Sequence, residues 1–288
     1  MANIKQKIGF VGLGWIGKHL YLNFKERGYK TVPYSLEKPY VKNKNKIKSC
    51  DIVFVAVPTP TTPNGFDDSI LSKALKIVGN KKIVVVKSTI LPGTLLKLQA
   101  KYPKLYLMHS PEFLVESTVV YNTTNPERNI IGIPIDNREY RKKAKIVMST
   151  LPYAPYSIIC NSEESALIKY GGNCFLFMKI VFMNILYDLV KSSTHISDYS
   201  WDIVKDAISA DSRIGRSHID PVHKTGRGGG GDCFIKDMEA FYSMYKGIIG
   251  DENGIKVLKS TIDKNLQYLI ESNKDLDIIE GVYGKLTK

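Results

Sequence analysis

The chain has 288 residues, 43% of them apolar, an ordinary globular composition that suits one large domain or two unequal ones. A formal net charge of +13 is spread over KNKNKIK, KNKK and REYRKKAK, which speaks against a nucleic-acid stripe and leaves a positive field that attracts phosphate-bearing ligands. The four cysteines have neither the CxxC spacing of a zinc site nor the density of a disulfide scaffold, so they read as thiols, with Cys50, Cys160 and Cys174 buried and inert in apolar or mixed surroundings.

No apolar run reaches bilayer-spanning length, and the opening MANIKQKIGF lacks a signal-peptide cleavage site. The expectation is a cytoplasmic protein with no membrane partner. From residue 5 to 160, the runs KIGFVGLG, YKTVPYS, CDIVFVAVP, KKIVVVKST, KLYLMHS, RNIIGIP and PYSIIC alternate with helical stretches. That alternation predicts an α/β domain, a Rossmann-like, doubly wound parallel sheet over residues 1–160. Strands such as IVFVAV and IVVV are continuously apolar, as strands covered on both faces should be.

After Asn161-Ser162 the pattern becomes ESALIKYGGNCFLFMKIVFMNILYDLVK, a long helical stretch opened by acids. Further helices are expected over 200–210, 235–247 and 253–273, so residues 161–288 read as an all-helical domain. The pair Gly171-Gly172 within the long helix predicts close approach by another backbone, a helix or a ligand.

Gly12-Leu13-Gly14-Trp15-Ile16-Gly17 stands between the first strand and the first helix, which is the context that makes a GxGxxG string a dinucleotide turn. Gly12 permits the turn, Gly14 admits a pyrophosphate and Gly17 lets helix pack on strand, with the helix N-terminus facing the phosphates. The second strand does not end in the usual ribose-binding acid. Ser35 stands there, followed by Glu37, which would hold a ribose and favour NAD, and Lys38, which with Ser35 would hold the extra phosphate of NADP. NAD is the cofactor read here, with NADP kept open.

Cys233 follows the glycine run GRGGGG and precedes a helix, where first-turn amides and nearby Lys236 would favour a thiolate. Asp237 lies one turn further on the same face, placed to orient a water or accept a proton. A glycine loop capped by a structural cysteine is the alternative. His218 and His223 lack the clustered partners of a zinc site, so no metal is assigned.

Seven motifs in order, the glycine turn, VPTPTT (57–62), KSTILPGT (87–94), SPEFLVE (110–116), KYGGN (169–173), DSRIG (211–215) and GGGGDCFIKD (228–237), resemble the UDP-glucose/GDP-mannose dehydrogenase family across nearly the whole chain. The resemblance implies oxidation of the C6 alcohol of a nucleotide sugar to a carboxylate by two hydride transfers to NAD. Cys233 would hold the aldehyde as a thiohemiacetal and then as a thioester that water hydrolyses. It further implies that Lys169 and Asn173 stabilise an oxyanion from one helix face directed at Cys233, and that Asp237, Thr89 and Glu116, with Glu112, handle the water.

On the same basis Trp15, Ile16, Pro58, Thr59, Thr89 and Glu116 join the glycines and Ser35 at the cofactor, while Glu112, Lys169, Asn173, Arg213 and Gly230 meet the substrate. Arg213 is expected to reach a neighbouring subunit of a homodimer formed through the long helix. The chain departs from the family in having only about fifty residues after Asp237, where a second nucleotide-binding domain is usual, and in carrying Ile235 where proline is usual. A compact nucleotide-sugar 6-dehydrogenase is the first reading; a single-step dehydrogenase of a smaller alcohol or hydroxy acid and a non-catalytic NAD-binding module are the alternatives.

Overall fold

The computed structural model describes residues 6–192 and 200–285, apart from the Glu116 side chain. The chain divides into two compact units, 1–59 with 67–169, and 60–66 with 170–288. The division falls inside one long helix, after Lys169.

The elements follow in chain order as β1 (Lys7–Val11), α1 (Trp15–Glu26), β2 (Lys30–Tyr34), a 3-10 stretch (Tyr40–Ser49), β3 (Ile52–Val55), β4 (Thr61–Thr62), β5 (Gly65–Phe66) and α2 (Ser69–Leu75). Next come β6 (Ile83–Val86), α3 (Thr94–Lys101), β7 (Tyr106–His109), α4 (Val119–Thr124), β8 (Arg128–Ile133), α5 (Arg138–Thr150), β9 (Tyr156–Asn161) and α6 (Ser162–Ser192). The remainder is α7 (Trp201–Ser209), β10 (Val222–His223), β11 (Gly226–Arg227), α8 (Gly231–Ile248), α9 (Glu252–Glu271) and α10 (Leu276–Tyr283).

In the first unit, the seven strands expected from sequence form one sheet in the order β2-β1-β3-β6-β7-β8-β9. All pairings are parallel except β7 with β8, which run antiparallel and meet at His109 and Gly132. Strands β3 and β6 are buried at every residue, which is why their sequences are unbroken apolar runs. Phe10 stacks on Phe54 at 5.7 Å and meets Phe24 of α1 edge-on at 5.6 Å. Each buried phenylalanine contributes about 1.5–3 kcal/mol, so these rings fix α1, and the turn before it, against β1 and β3. The sheet order reverses at β1, and the crevice at the strand ends beside such a reversal is where doubly wound sheets bind ligands.

Helix α6 begins on a capping interaction, the Asn161 amide donating to Glu164 Oε2 at 2.8 Å. It corrects one sequence expectation, because its 31 residues, with an 18-residue window of mean hydropathy 1.5, are long and apolar enough to cross a membrane by length and composition. Scattered polar positions such as Lys179 and Asn184 break up its apolar run without lowering the average below that range. A single helix of this kind is weak grounds for a membrane span, because core helices of soluble proteins share the property.

The second unit is helical, and adds two short hairpins, β4–β5 and β10–β11, that the all-helical expectation did not contain. Its core joins Cys174, Phe177 and Val181 of α6 to Met238 of α8 and to Leu258 and Ile262 of α9. Asp251 caps α9, its carboxylate accepting from the Gly254 amide at 2.6 Å. Ile235, at the position where the family pattern has proline, is buried with Leu269, Ile279 and Val282, so its side chain ties α8 to α9 and α10.

Candidate active site

In the first unit, Gly12, Thr59, Lys87 and Ser110 stand at or just beyond the C-terminal ends of β1, β3, β6 and β7. A Cβ at Gly12 would lie 2.2 Å from the Ala56 carbonyl oxygen, and one at Gly17 would lie 2.0 Å from that of Gly12. Those two glycines are demanded by the packing of the turn itself. Gly14 differs, because a Cβ there would meet nothing within 4 Å among the described residues, and it opens α1, whose first turn holds no acid. Open space before a helix N-terminus fits the phosphates of a dinucleotide. Trp15 is exposed, while Ile16 is half-buried.

Beyond β2, Ser35 Oγ accepts from the Glu37 amide at 3.3 Å, leaving the Glu37 and Lys38 side chains exposed. Pro58 is exposed; Thr59 is buried and donates to the Thr89 carbonyl at 2.6 Å. Two of the residues expected at the cofactor therefore brace each other across β3 and β6.

Lys169, 5% exposed, donates from Nζ to the Glu112 carbonyl at 2.8 Å, with Glu112 Oε1 at 3.7 Å. Glu112 Oε2 accepts from the Leu114 amide at 2.7 Å. Lys87 supports the adjoining residues, donating to the Pro111 carbonyl at 3.2 Å and to Ser110 Oγ at 3.3 Å. Burial pulls the Lys87 ammonium down to about 8, with Glu112 opposing and Lys169 adding to the fall. Phe113, next in sequence, takes the Arg128 guanidinium over its ring at 3.7 Å. Lys87, Glu112, Arg128 and Ile16 border a cavity of about 130 Å³.

Behind this group lies fully buried His109, whose Nδ1 shares a 2.7 Å hydrogen bond with Ser165 Oγ. Burial, followed by the nearby Lys87 charge, depresses the imidazole to about 3, so it is neutral at physiological pH. Lys87 and His109 were not singled out from sequence. The signal was their place: each ends a buried strand on the edge where ligands bind.

In the second unit, Cys233 is exposed in the first turn of α8, and Asp237, one turn on, is 1% exposed. Asn173 Nδ2 donates to Asp237 Oδ2 at 2.6 Å, and Lys236 Nζ pairs with Asp237 Oδ1. Lys236, expected to favour a thiolate, is paired with the Asp237 carboxylate. Burial raises the Cys174 thiol to about 12 and the Cys50 and Cys160 thiols to about 11, in keeping with their inert reading, although Cys160 is half-buried where a buried thiol was expected. Arg213, its side chain 87% exposed, is paired with Asp211 at 2.6 Å. The Glu116 side chain lies outside the described residues. A Cβ at Gly171 would meet nothing within 4 Å among the described residues.

The structure thus brings Lys169 to Glu112 in one unit and Asn173 to Asp237 in the other. Residues 37–149 match the NAD-binding domain of the UDP-glucose/GDP-mannose dehydrogenase family, and residues 163–274 match its central domain. The chain belongs to that family. It is 32% identical over 237 residues to the UDP-glucose 6-dehydrogenase of Rickettsia typhi, covering 77% of this chain and 50% of the relative. With the UDP-glucose 6-dehydrogenase of Bacillus subtilis it shares 30% identity over 251 residues, 83% of this chain and 51% of the other. The chain spans about half the length of these curated family relatives. A UDP-glucose dehydrogenase structure from Pyrobaculum islandicum has the same fold, with a TM-score of 0.77 at 24% identity, over 93% of this chain and 69% of that one. A 3-hydroxyisobutyrate dehydrogenase of Mycobacterium tuberculosis also shares the fold, with a TM-score of 0.70 at 13% identity, over 97% and 98% of the two chains.

Proposed function

We propose that the chain performs the covalent oxidation chemistry of a nucleotide-sugar 6-dehydrogenase, converting a C6 alcohol to a carboxylate through Cys233. The observation that carries this reading is the Asn173–Asp237 hydrogen bond, which fixes a buried carboxylate one turn past an exposed thiol. An NAD held at Gly12, Gly14 and Gly17, with Trp15, Ile16, Ser35, Pro58, Thr59 and Thr89 around it, would supply the hydride acceptor. Gly14, where side-chain space is left open, supports that fit.

After the alcohol has become an aldehyde, the Cys233 sulfur bonds to the carbonyl carbon, and the thiol proton passes to the carbonyl oxygen, giving a thiohemiacetal. Loss of a second hydride and the hydroxyl proton leaves a thioester. Water then bonds to the acyl carbon, the C–S bond breaks, and the thiol is regenerated beside a carboxylate. Asn173 spends one amide hydrogen on Asp237 and keeps another for an oxyanion. Lys169, four residues earlier on α6, likewise has ammonium hydrogens beyond the one given to Glu112. Asp237 holds or deprotonates the water. On the family pattern Glu112, Gly230 and Arg213 would each contact the substrate.

A homodimer through α6 belongs to the same reading. Phe175, Met178, Phe182, Ile185 and Leu189 are exposed at 67%, 37%, 61%, 47% and 67%, following the three-and-four spacing of a helix-pairing seam, with Gly171 one turn before them. A screen of UDP-sugars, GDP-mannose and simple hydroxy acids, read by NADH absorbance, tests the activity. Turnover of a nucleotide sugar that is lost in Cys233→Ser supports it. Turnover of a hydroxy acid indifferent to Cys233 replaces it with a single-step dehydrogenase, and NAD binding without turnover leaves a binding module.

A further inference from the structure

The glycine run before Cys233 is gripped by side chains that lie well after it in sequence. Asn265, 1% exposed, accepts from the Gly229 amide at 2.7 Å and donates to the Gly229 carbonyl at 2.9 Å. Ser272 Oγ accepts from the Arg227 amide at 3.0 Å. Lys274, 4% exposed, directs its ammonium to the carbonyls of Gly228 at 2.9 Å and Gly226 at 3.3 Å. Asp275 Oδ2 accepts from the Gly231 amide at 2.7 Å. Every residue from 226 to 231 except Gly230 is held directly, and the hold ends two residues before the thiol.

The fit explains the glycines. A Cβ at Gly230 would fall 1.9 Å from Asp275 Oδ2, and one at Gly226 would fall 2.4 Å from Ser272 Oγ. The segment that supplies these groups is itself constrained, with Asn273 and Asp275 at φ values of 52° and 54° on either side of buried Lys274. Left-handed backbone at two non-glycine residues persists only where surroundings over-determine it. Burying an ammonium is unfavourable unless it is hydrogen-bonded, and here its acceptors are loop carbonyls. A loop of four consecutive glycines is otherwise among the most mobile of sequences, and a thiol mounted on it would not hold a reaction geometry.

We propose that Asn265, Ser272, Lys274 and Asp275 are positioning residues for Cys233: they lock the glycine loop so that the first turn of α8 presents the thiol in one place. The proposal rests on the covalent role of Cys233, and its test separates the two. In the full chain, Lys274→Met, Lys274→Arg and the milder Ser272→Ala are compared with Val147→Ala, a core variant of the first unit that lowers thermal stability without touching the loop. Alkylation of Cys233 by iodoacetamide is followed by peptide mass spectrometry, beside kcat, KM and the thermal midpoint.

The expected result is at least a threefold change in Cys233 alkylation rate and a tenfold fall in kcat for Lys274→Met, with KM within twofold. Partial recovery is expected in Lys274→Arg, a smaller change in the same direction in Ser272→Ala, and no change in alkylation in Val147→Ala. Equal alkylation rates and kcat in Ser272→Ala, Lys274→Arg and wild type overturn the clamp, even if Lys274→Met does not fold. Full activity of Cys233→Ala would overturn the covalent reading instead, while the alkylation rates would still report on the clamp.

Discussion

Asn173 on α6 and Asp237 on α8 are joined by a 2.6 Å hydrogen bond in which the amide donates and the carboxylate accepts. The carboxylate is 1% exposed and also pairs with Lys236, so it is charge-compensated at the position where the proposed mechanism would have it handle a water. Asp237→Asn should therefore leave formation of the Cys233 adduct intact and slow its hydrolysis. A fall in kcat on the order of 10²–10⁴ is expected, with the adduct visible by intact mass spectrometry after one turnover. Free release of product at the wild-type rate would remove Asp237 from the hydrolytic step.

The glycines of the turn separate folding from binding. Gly17→Ala places a methyl group against the Gly12 carbonyl and should lower the thermal midpoint even without ligand. Gly14→Ala meets open space, so it should melt with the wild type yet lose most of the stabilisation that added NAD gives, measured by thermal shift and calorimetry. Equal NAD affinity in Gly14→Ala would place the pyrophosphate elsewhere.

Much of this was legible before the structure. Central strands such as β3 and β6 are apolar runs because both faces of the sheet are covered there, and local composition reports that burial directly. The reversal at β8 was not, because the antiparallel join of His109 to Gly132 depends on where the chain returns after α4. Cys233 and Asp237 could be paired from their spacing on α8, whereas the grip of Lys274 on Gly228 spans 46 residues and has no local pattern.

His109 predicts an acid sensitivity with a defined sign. Its folded value of about 3 lies below the ordinary 6.5, so between those limits the unfolded chain binds more protons. Stability should rise with pH through that window and fall as pH drops from 6.5 toward 3. His109→Asn, which can keep a hydrogen bond to Ser165, should flatten the slope by up to one proton in urea titrations at successive pH values. An unchanged slope would contradict the buried neutral imidazole.

The exposed seam on α6 predicts that Phe182→Glu yields a monomer while the fold is retained, since Phe182 is 61% exposed in the single chain. Sedimentation of wild type and variant at matched concentration checks this. A wild-type chain that is already monomeric, or a variant that still dimerises, would exclude the seam as the interface.

The most direct measurement is the stoichiometry of oxidation with a nucleotide sugar that the chain turns over. Two NADH per sugar consumed, a transient adduct on the peptide containing Cys233, and loss of that turnover in Cys233→Ser are the results predicted. One NADH per sugar, with no adduct and a fully active Cys233→Ser, would contradict the account.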